Sequence, residues 1–167
     1  MKATTQPQPV IAPELNATSA KRVLLASEGR PFPEEAIQFA ADLARRDGAT
    51  VNVFSIARIW GTSLGLPNPG LLPTRREWDT QHAQVEKAVK SLLQKKIKAE
   101  GCVIGTRNPS KRIIAEAKRM KYVAIIMAAE APKNWLISSL LWSQEAYRIR
   151  KRAGMPVHIV QIDNIKK

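Results

Sequence analysis

Cysteine is almost missing from this chain. The single Cys102 excludes an intrachain disulfide framework and any multi-cysteine metal site, and two scattered histidines, His82 and His158, supply no ligand cluster. A reducing cytoplasm is the expected setting. Long apolar runs are missing too: nothing approaches the roughly 18 residues of a membrane-spanning helix. The amino terminus, MKATTQPQPV, lacks the apolar centre of a signal peptide, so the chain is expected neither to span a membrane nor to be secreted by that route. Glycine is absent from Thr106 to Ala153, so a loop in that interval has no bare backbone for a phosphate to approach. Acidic residues are scarce, 14 against 27 Lys and Arg, leaving +13 and a pI near 10.3. Such an excess attracts nucleic acid, anionic lipid or an acidic protein surface, and is silent about fold.

What is present fits one domain: 167 residues, 44% of them hydrophobic, can bury a sizeable core. Residues 1–20, rich in Pro, Gln, Thr and Ala without periodicity, are expected to form a flexible tail. Residues 21–163 should form the globular domain, and 164–167 a basic end.

The segment from Tyr122 to Ile162 organises the rest. An apolar run (YVAIIMAA), a break at a proline, a helix-patterned stretch (NWLISSLLWSQEAYRIRKR), then Gly154, Pro156 and a second apolar run (VHIVQI) describe strand, crossover helix and parallel strand. The amino-terminal half repeats the unit. Val23 to Ala26 is a short strand ending at Ser27-Glu28-Gly29, and a helix follows the prolines at 31 and 33 to about Arg46, stopped by Asp47-Gly48. Val51 to Ile56 is the next strand. Residues 57–73 form a long loop carrying Trp60, Leu64, Leu66, Leu71 and Leu72, which either cover the sheet edge or the following helix, or form a partner-docking lid. Thr74 and Glu77 make a capping box opening a helix to about Glu100, ended by Gly101. Cys102 to Ile104 is a short strand, and Pro109-Ser110 caps a helix to about Met120. Five strands alternating with four helices predict an α/β fold: an open doubly wound five-stranded parallel sheet with helices on both faces.

VLLASEG, AIQFAADLARRDGATVNVFSIA, the Pro109-led RIIAEAKRMKYVAIIMA and EAYRIRKRAGMPVHIVQI together resemble the universal stress protein family from Lys21 to Ile162. The resemblance implies its adenine nucleotide alpha hydrolase-like fold and, in many members, ATP or cAMP binding in a stress-response switch. Nucleotide-binding members carry Gly-x-x-Gly, about nine residues, then Gly-Ser or Gly-Thr, whose backbone amides hold phosphates. The corresponding positions here are Met127-Ala128-Ala129-Glu130 and Ser143-Gln144. The acidic residue that ends the first strand and meets adenine and ribose in the family corresponds to Glu28, after Ser27, where members have Asp. Glu130 would bring negative charge toward a triphosphate. The resemblance therefore implies a degenerate nucleotide site and no bound cofactor, with ATP or cAMP binding as the alternative.

Catalytic machinery is not visible. Asp79, His82 and Ser143 have no nucleophile elbow around them, and His82 falls in a long helix. His158, inside an apolar strand, is expected to be structural, and Cys102 a small buried residue. No metal site and no catalytic residue is expected, and the chain is read as no enzyme. Two basic clusters remain: Arg107, Lys111, Arg112, Lys118, Arg119 and Lys121, and then Arg148, Arg150, Lys151 and Arg152. They point to docking on a larger acidic or anionic protein, or on a membrane-associated complex, with the chain cytoplasmic or peripheral to a membrane. Nucleic acid lacks a docking motif or stacking aromatics. The last strand, with Val157 and Ile159, is expected at the sheet edge, as the pairing surface of a homodimer.

Overall fold

The computed structural model describes residues 21–58, 62–63, 66–67, 73–130 and 144–162. The elements in chain order are β1 (Arg22–Ser27), α1 (Glu34–Asp47), β2 (Thr50–Arg58), β3 (Thr62–Ser63), β4 (Leu66–Pro67), α2 (Arg75–Gln94), β5 (Ala99–Thr106), α3 (Pro109–Arg119), β6 (Ala124–Glu130), α4 (Gln144–Arg152) and β7 (Val157–Ile162). Five strands form one parallel sheet in the order β5-β2-β1-β6-β7, as the alternation of strands and helices predicts. The short β3 and β4 form a separate antiparallel ribbon within the long loop.

Alternation along the strands divides the core in two. Val23, Leu25, Val51, Val53 and Ile126 face α1 and α2, while Leu24, Ala26, Phe54, Ile56, Ile125 and Met127 face α3 and α4. Strands buried on both faces must be apolar at nearly every position, which is why VLLA and AIIMAA read as continuous runs. Each fully buried Leu or Ile contributes roughly 1.5–3 kcal/mol relative to exposure.

Local chemistry sets the ends of the elements. Gly48, at φ 62°, closes α1 in the left-handed region with its N–H donating to the Ala44 carbonyl. The predicted capping box forms: the Glu77 N–H donates to Thr74 Oγ1, and the Thr74 N–H to the Glu77 carboxylate at 2.6 Å. Three boundaries differ from expectation. Helix α2 stops at Gln94 rather than near Glu100, because Lys96 turns into the left-handed region (φ 61°) and the Ile97 N–H returns to the Leu92 carbonyl at 3.0 Å, burying Ile97. Gly101 therefore lies inside β5, which runs from Ala99 to Thr106 and not merely from Cys102 to Ile104. A Cβ at Gly101 would stand 2.3 Å from Val85 Cγ1, so the glycine there allows α2 to approach the strand. The cap of α3 is Asn108, with Pro109 inside the first turn.

The predicted tail at 1–20, Trp60, Leu64, Leu71, Leu72, the 131–143 segment with Ser143, and the basic end at 164–167 lie outside the described residues, as do the side chains of Leu66, Glu130 and Gln144. No helix among the described residues is long and apolar enough to cross a membrane.

Candidate functional site

Sheet order fixes where a ligand can sit. From β1 the chain first moves outward through β2 to β5 and then returns to the other side with β6, so the switch point lies at the carboxyl ends of β1 and β6. A pocket of about 240 Å³ opens there, between the turn that leaves β1 and the ends of β6 and β7. Ser27, Glu28 and Arg30 supply its polar side, and Leu25, Phe32, Ala36, Ala128 and Ile162 much of its apolar side.

The turn after β1 is held from within. Ser27 Oγ donates to the Arg30 carbonyl at 2.6 Å and accepts from the Arg30 N–H at 2.8 Å, folding the chain back on itself. That places the Arg30 guanidinium over Glu28: Nε and Nη2 donate to the same carboxylate oxygen at 2.9 and 2.6 Å. Glu28 is only 2% exposed, so this charge-assisted pairing compensates a carboxylate taken out of water. A third support comes from α2. Gln81 donates to the Gly29 carbonyl at 2.9 Å and accepts from Ser55 Oγ at 2.6 Å, tying the turn to β2 through a buried amide.

The expected site positions are thus only partly brought together. Ser27, Glu28 and Ala128 share the pocket, whereas Met127 is fully buried against α3 and α4 and faces away from it. Arg30 and Gln81 were not singled out by sequence reasoning. Gln81 does carry a signal, since Trp78, Gln81, Val85, Ala88 and Leu92 recur at three and four residues and place a polar side chain on the apolar stripe of α2.

Adenine nucleotide is the ligand implied by the family resemblance, and two features of these residues bear on it. The carboxylate that would meet base or ribose already accepts two hydrogen bonds from Arg30. The chain after β6 offers no glycine until Gly154 to cradle phosphates.

The other candidates separate. His82 is exposed and stacks on Trp78 with ring centroids 5.9 Å apart, and Asp79 is exposed on the same helix. His158 lies 5.3 Å from the Phe39 ring. Cys102 is exposed, not buried as expected, and lies on β5, which has no neighbour beyond it in the sheet among the described residues. Its thiol is still shielded enough that desolvation, and then the Glu116 carboxylate, push its pKa up. Glu116 is itself buried beneath Arg119, at 2.5 Å, and Arg112, at 3.7 Å. No group of three or more His, Cys, Asp or Glu among the described residues could hold a metal ion.

A model of the universal stress protein family matches residues 19–161. A search of curated proteins finds no match. Among solved structures, a universal stress protein from Archaeoglobus fulgidus superposes with a TM-score of 0.64 at 18% identity, covering 83% of this chain and 92% of that one. The universal stress protein from Archaeoglobus fulgidus in complex with dAMP gives 0.62 at 18% identity, over 83% and 96% of the two chains. A universal stress protein in complex with cAMP gives 0.64 at 13% identity, over 86% and 98%. At these identities the likeness establishes the fold.

Proposed function

The chain belongs to the universal stress protein family, and from that premise we propose that it is a regulatory or accessory domain that acts by binding rather than by catalysis, with a switch-point site no longer suited to ATP. The observation that carries this reading is the Glu28–Arg30 pair, which commits the pocket's carboxylate to an internal partner. The excess of basic residues supplies the other half of the proposal: the domain docks onto a larger acidic or anionic partner, steered by charge. Purification of the tagged protein from its own cells tests the docking. A complex is expected at low salt, weakened by moderate salt and by deleting residues 1–20. A chain that runs alone under both conditions, with the deletion behaving like the intact protein, contradicts it.

A second reading is favoured by one observation. The apolar floor beside Glu28 resembles a place for a base, and two similar structures hold dAMP and cAMP, so the site could retain a nucleoside monophosphate without a triphosphate. Melting the protein with AMP, cAMP or ATP separates the readings, because a ligand at 100 times its Kd stabilises the folded state by about 2.7 kcal/mol. A rise with AMP or cAMP alone supports the second reading, and no rise with any of the three supports the first.

A further inference from the structure

The two basic clusters, far apart in sequence, lie on the same face of the sheet. Helices α3 and α4 bury Ile113, Ala117, Ala146 and Ile149 in one core cluster, and Ser110 on α3 donates a hydrogen bond to Glu145 on α4. Each of these helices carries four Lys or Arg against one Glu, a net +6 for the layer. On the opposite face α1 is net −2 and α2 net +1. The charge of these four helices is therefore polarised across the sheet, an asymmetry that composition alone does not contain.

Within the layer the cations divide by role. The Arg112 and Arg119 guanidiniums hold Glu116, and Arg148 holds Glu145. Lys111, Lys118, Lys121, Arg150, Lys151 and Arg152 are exposed and make no ion pair among the described residues. Four of those six are lysines, compact point charges suited to a diffuse negative field, whereas three of the planar forks that clasp individual phosphates are engaged internally. Tyr147 is the large aromatic exposed on these two helices, and no stacking platform accompanies it. The helices, 11 and 9 residues long, extend about 16 and 13 Å side by side. Lys111 and Lys118, seven residues apart on α3, and Lys151 on α4 stand opposite the buried sides of their helices, so the layer can meet a flat sheet of charge with all three, but a nucleic-acid cylinder only along a strip.

We infer that the α3/α4 face is a docking surface for an anionic lipid bilayer, bound through headgroup charge without insertion. The inference rests on the docking proposal above and commits it to one surface and one partner. Each lysine or arginine near an anionic leaflet raises partitioning by roughly fivefold, and the attraction fades beyond a Debye length of about 8 Å at physiological salt.

Co-sedimentation of the full chain with vesicles tests it. Binding is expected to phosphatidylcholine vesicles containing phosphatidylglycerol, not to phosphatidylcholine alone, and to decline with salt. The double variant Lys118→Glu and Lys151→Glu should lower binding by about 25-fold or more. Lys87→Glu with Lys90→Glu changes the net charge equally but on exposed positions of α2, and should lower it much less. Equal losses in the two double variants would overturn the assignment to this face. Tighter binding to duplex DNA or single-stranded RNA than to anionic vesicles, lost in the α3/α4 variant, would replace lipid with nucleic acid. If vesicles fail but a salt-sensitive complex is still recovered from cells, the bilayer inference falls and the docking proposal stands; if both fail, both fall.

Discussion

Glu28 and Arg30 decide what the switch-point pocket can hold. Arg30 keeps a side-chain exposure of 25% while Glu28 has 2%, so the pair is wet on one side and dry on the other. Removing the arginine takes two charge-assisted donors from a buried carboxylate, and Arg30→Ala should cost about 1–3 kcal/mol in denaturant unfolding. Glu28→Gln should cost less, and the double variant should fall short of the sum, since the loss belongs to the contact; full additivity would show that the two side chains act independently. Tyr122 gives a pH-dependent counterpart. Burial, then the Glu116 carboxylate, push its phenol up to about 12 from 10.0. Between those values the folded chain holds a proton that the unfolded chain releases, so stability falls as pH rises from 10 toward 12 and is unaffected below that window. The decline attributable to this group is at most about 2 kcal/mol, and Tyr122→Phe should remove it from a stability–pH profile. Arg30 was not legible in the sequence because its role comes from a turn geometry set by Ser27, not from a spacing pattern.

Elements whose signals were local were legible. The capping box at Thr74 and Glu77 satisfies backbone donors three residues apart, and the glycine that ends α1 does so through its own conformation, so neither needed tertiary information. The carboxyl end of α2 was not legible, because the lysines from 95 to 98 carry no periodicity and the stop depends on burying Ile97 beneath the helix. Gly101 was misassigned for the same reason: glycine after a helix pattern reads as a terminator, whereas here it makes room between β5 and Val85 on α2. Gly101→Ala should therefore destabilise the domain by about 1–3 kcal/mol through overpacking, read from the denaturation midpoint. Val85→Ala should partly rescue it, and an unchanged midpoint in Gly101→Ala would show that α2 is not held this closely.

At the scale of the whole molecule, the sheet order puts β7 at one edge and β5 at the other. Strand β7, Val157–Ile162, has no sheet neighbour beyond it among the described residues, the kind of edge on which a two-fold partner would pair. Val157 and Ile159 pack inward against the α3/α4 core, so pairing would run through backbone hydrogen bonds and not through those side chains. Sedimentation at micromolar concentration is expected to show a dimer; monomer alone would leave this edge to another partner. The parallel sheet and its two helical layers were legible from apolar runs and crossover lengths, while the polarity of charge across the sheet was not, since it depends on which helices share a face. The nucleotide site tests the account most directly. Calorimetric titration of ATP into the intact protein is predicted to give no saturable heat, or a Kd weaker than about 1 mM, because Glu28 is paired and no glycine stands between the end of β6 and Gly154 to hold phosphates. Saturation with a low-micromolar Kd would contradict it.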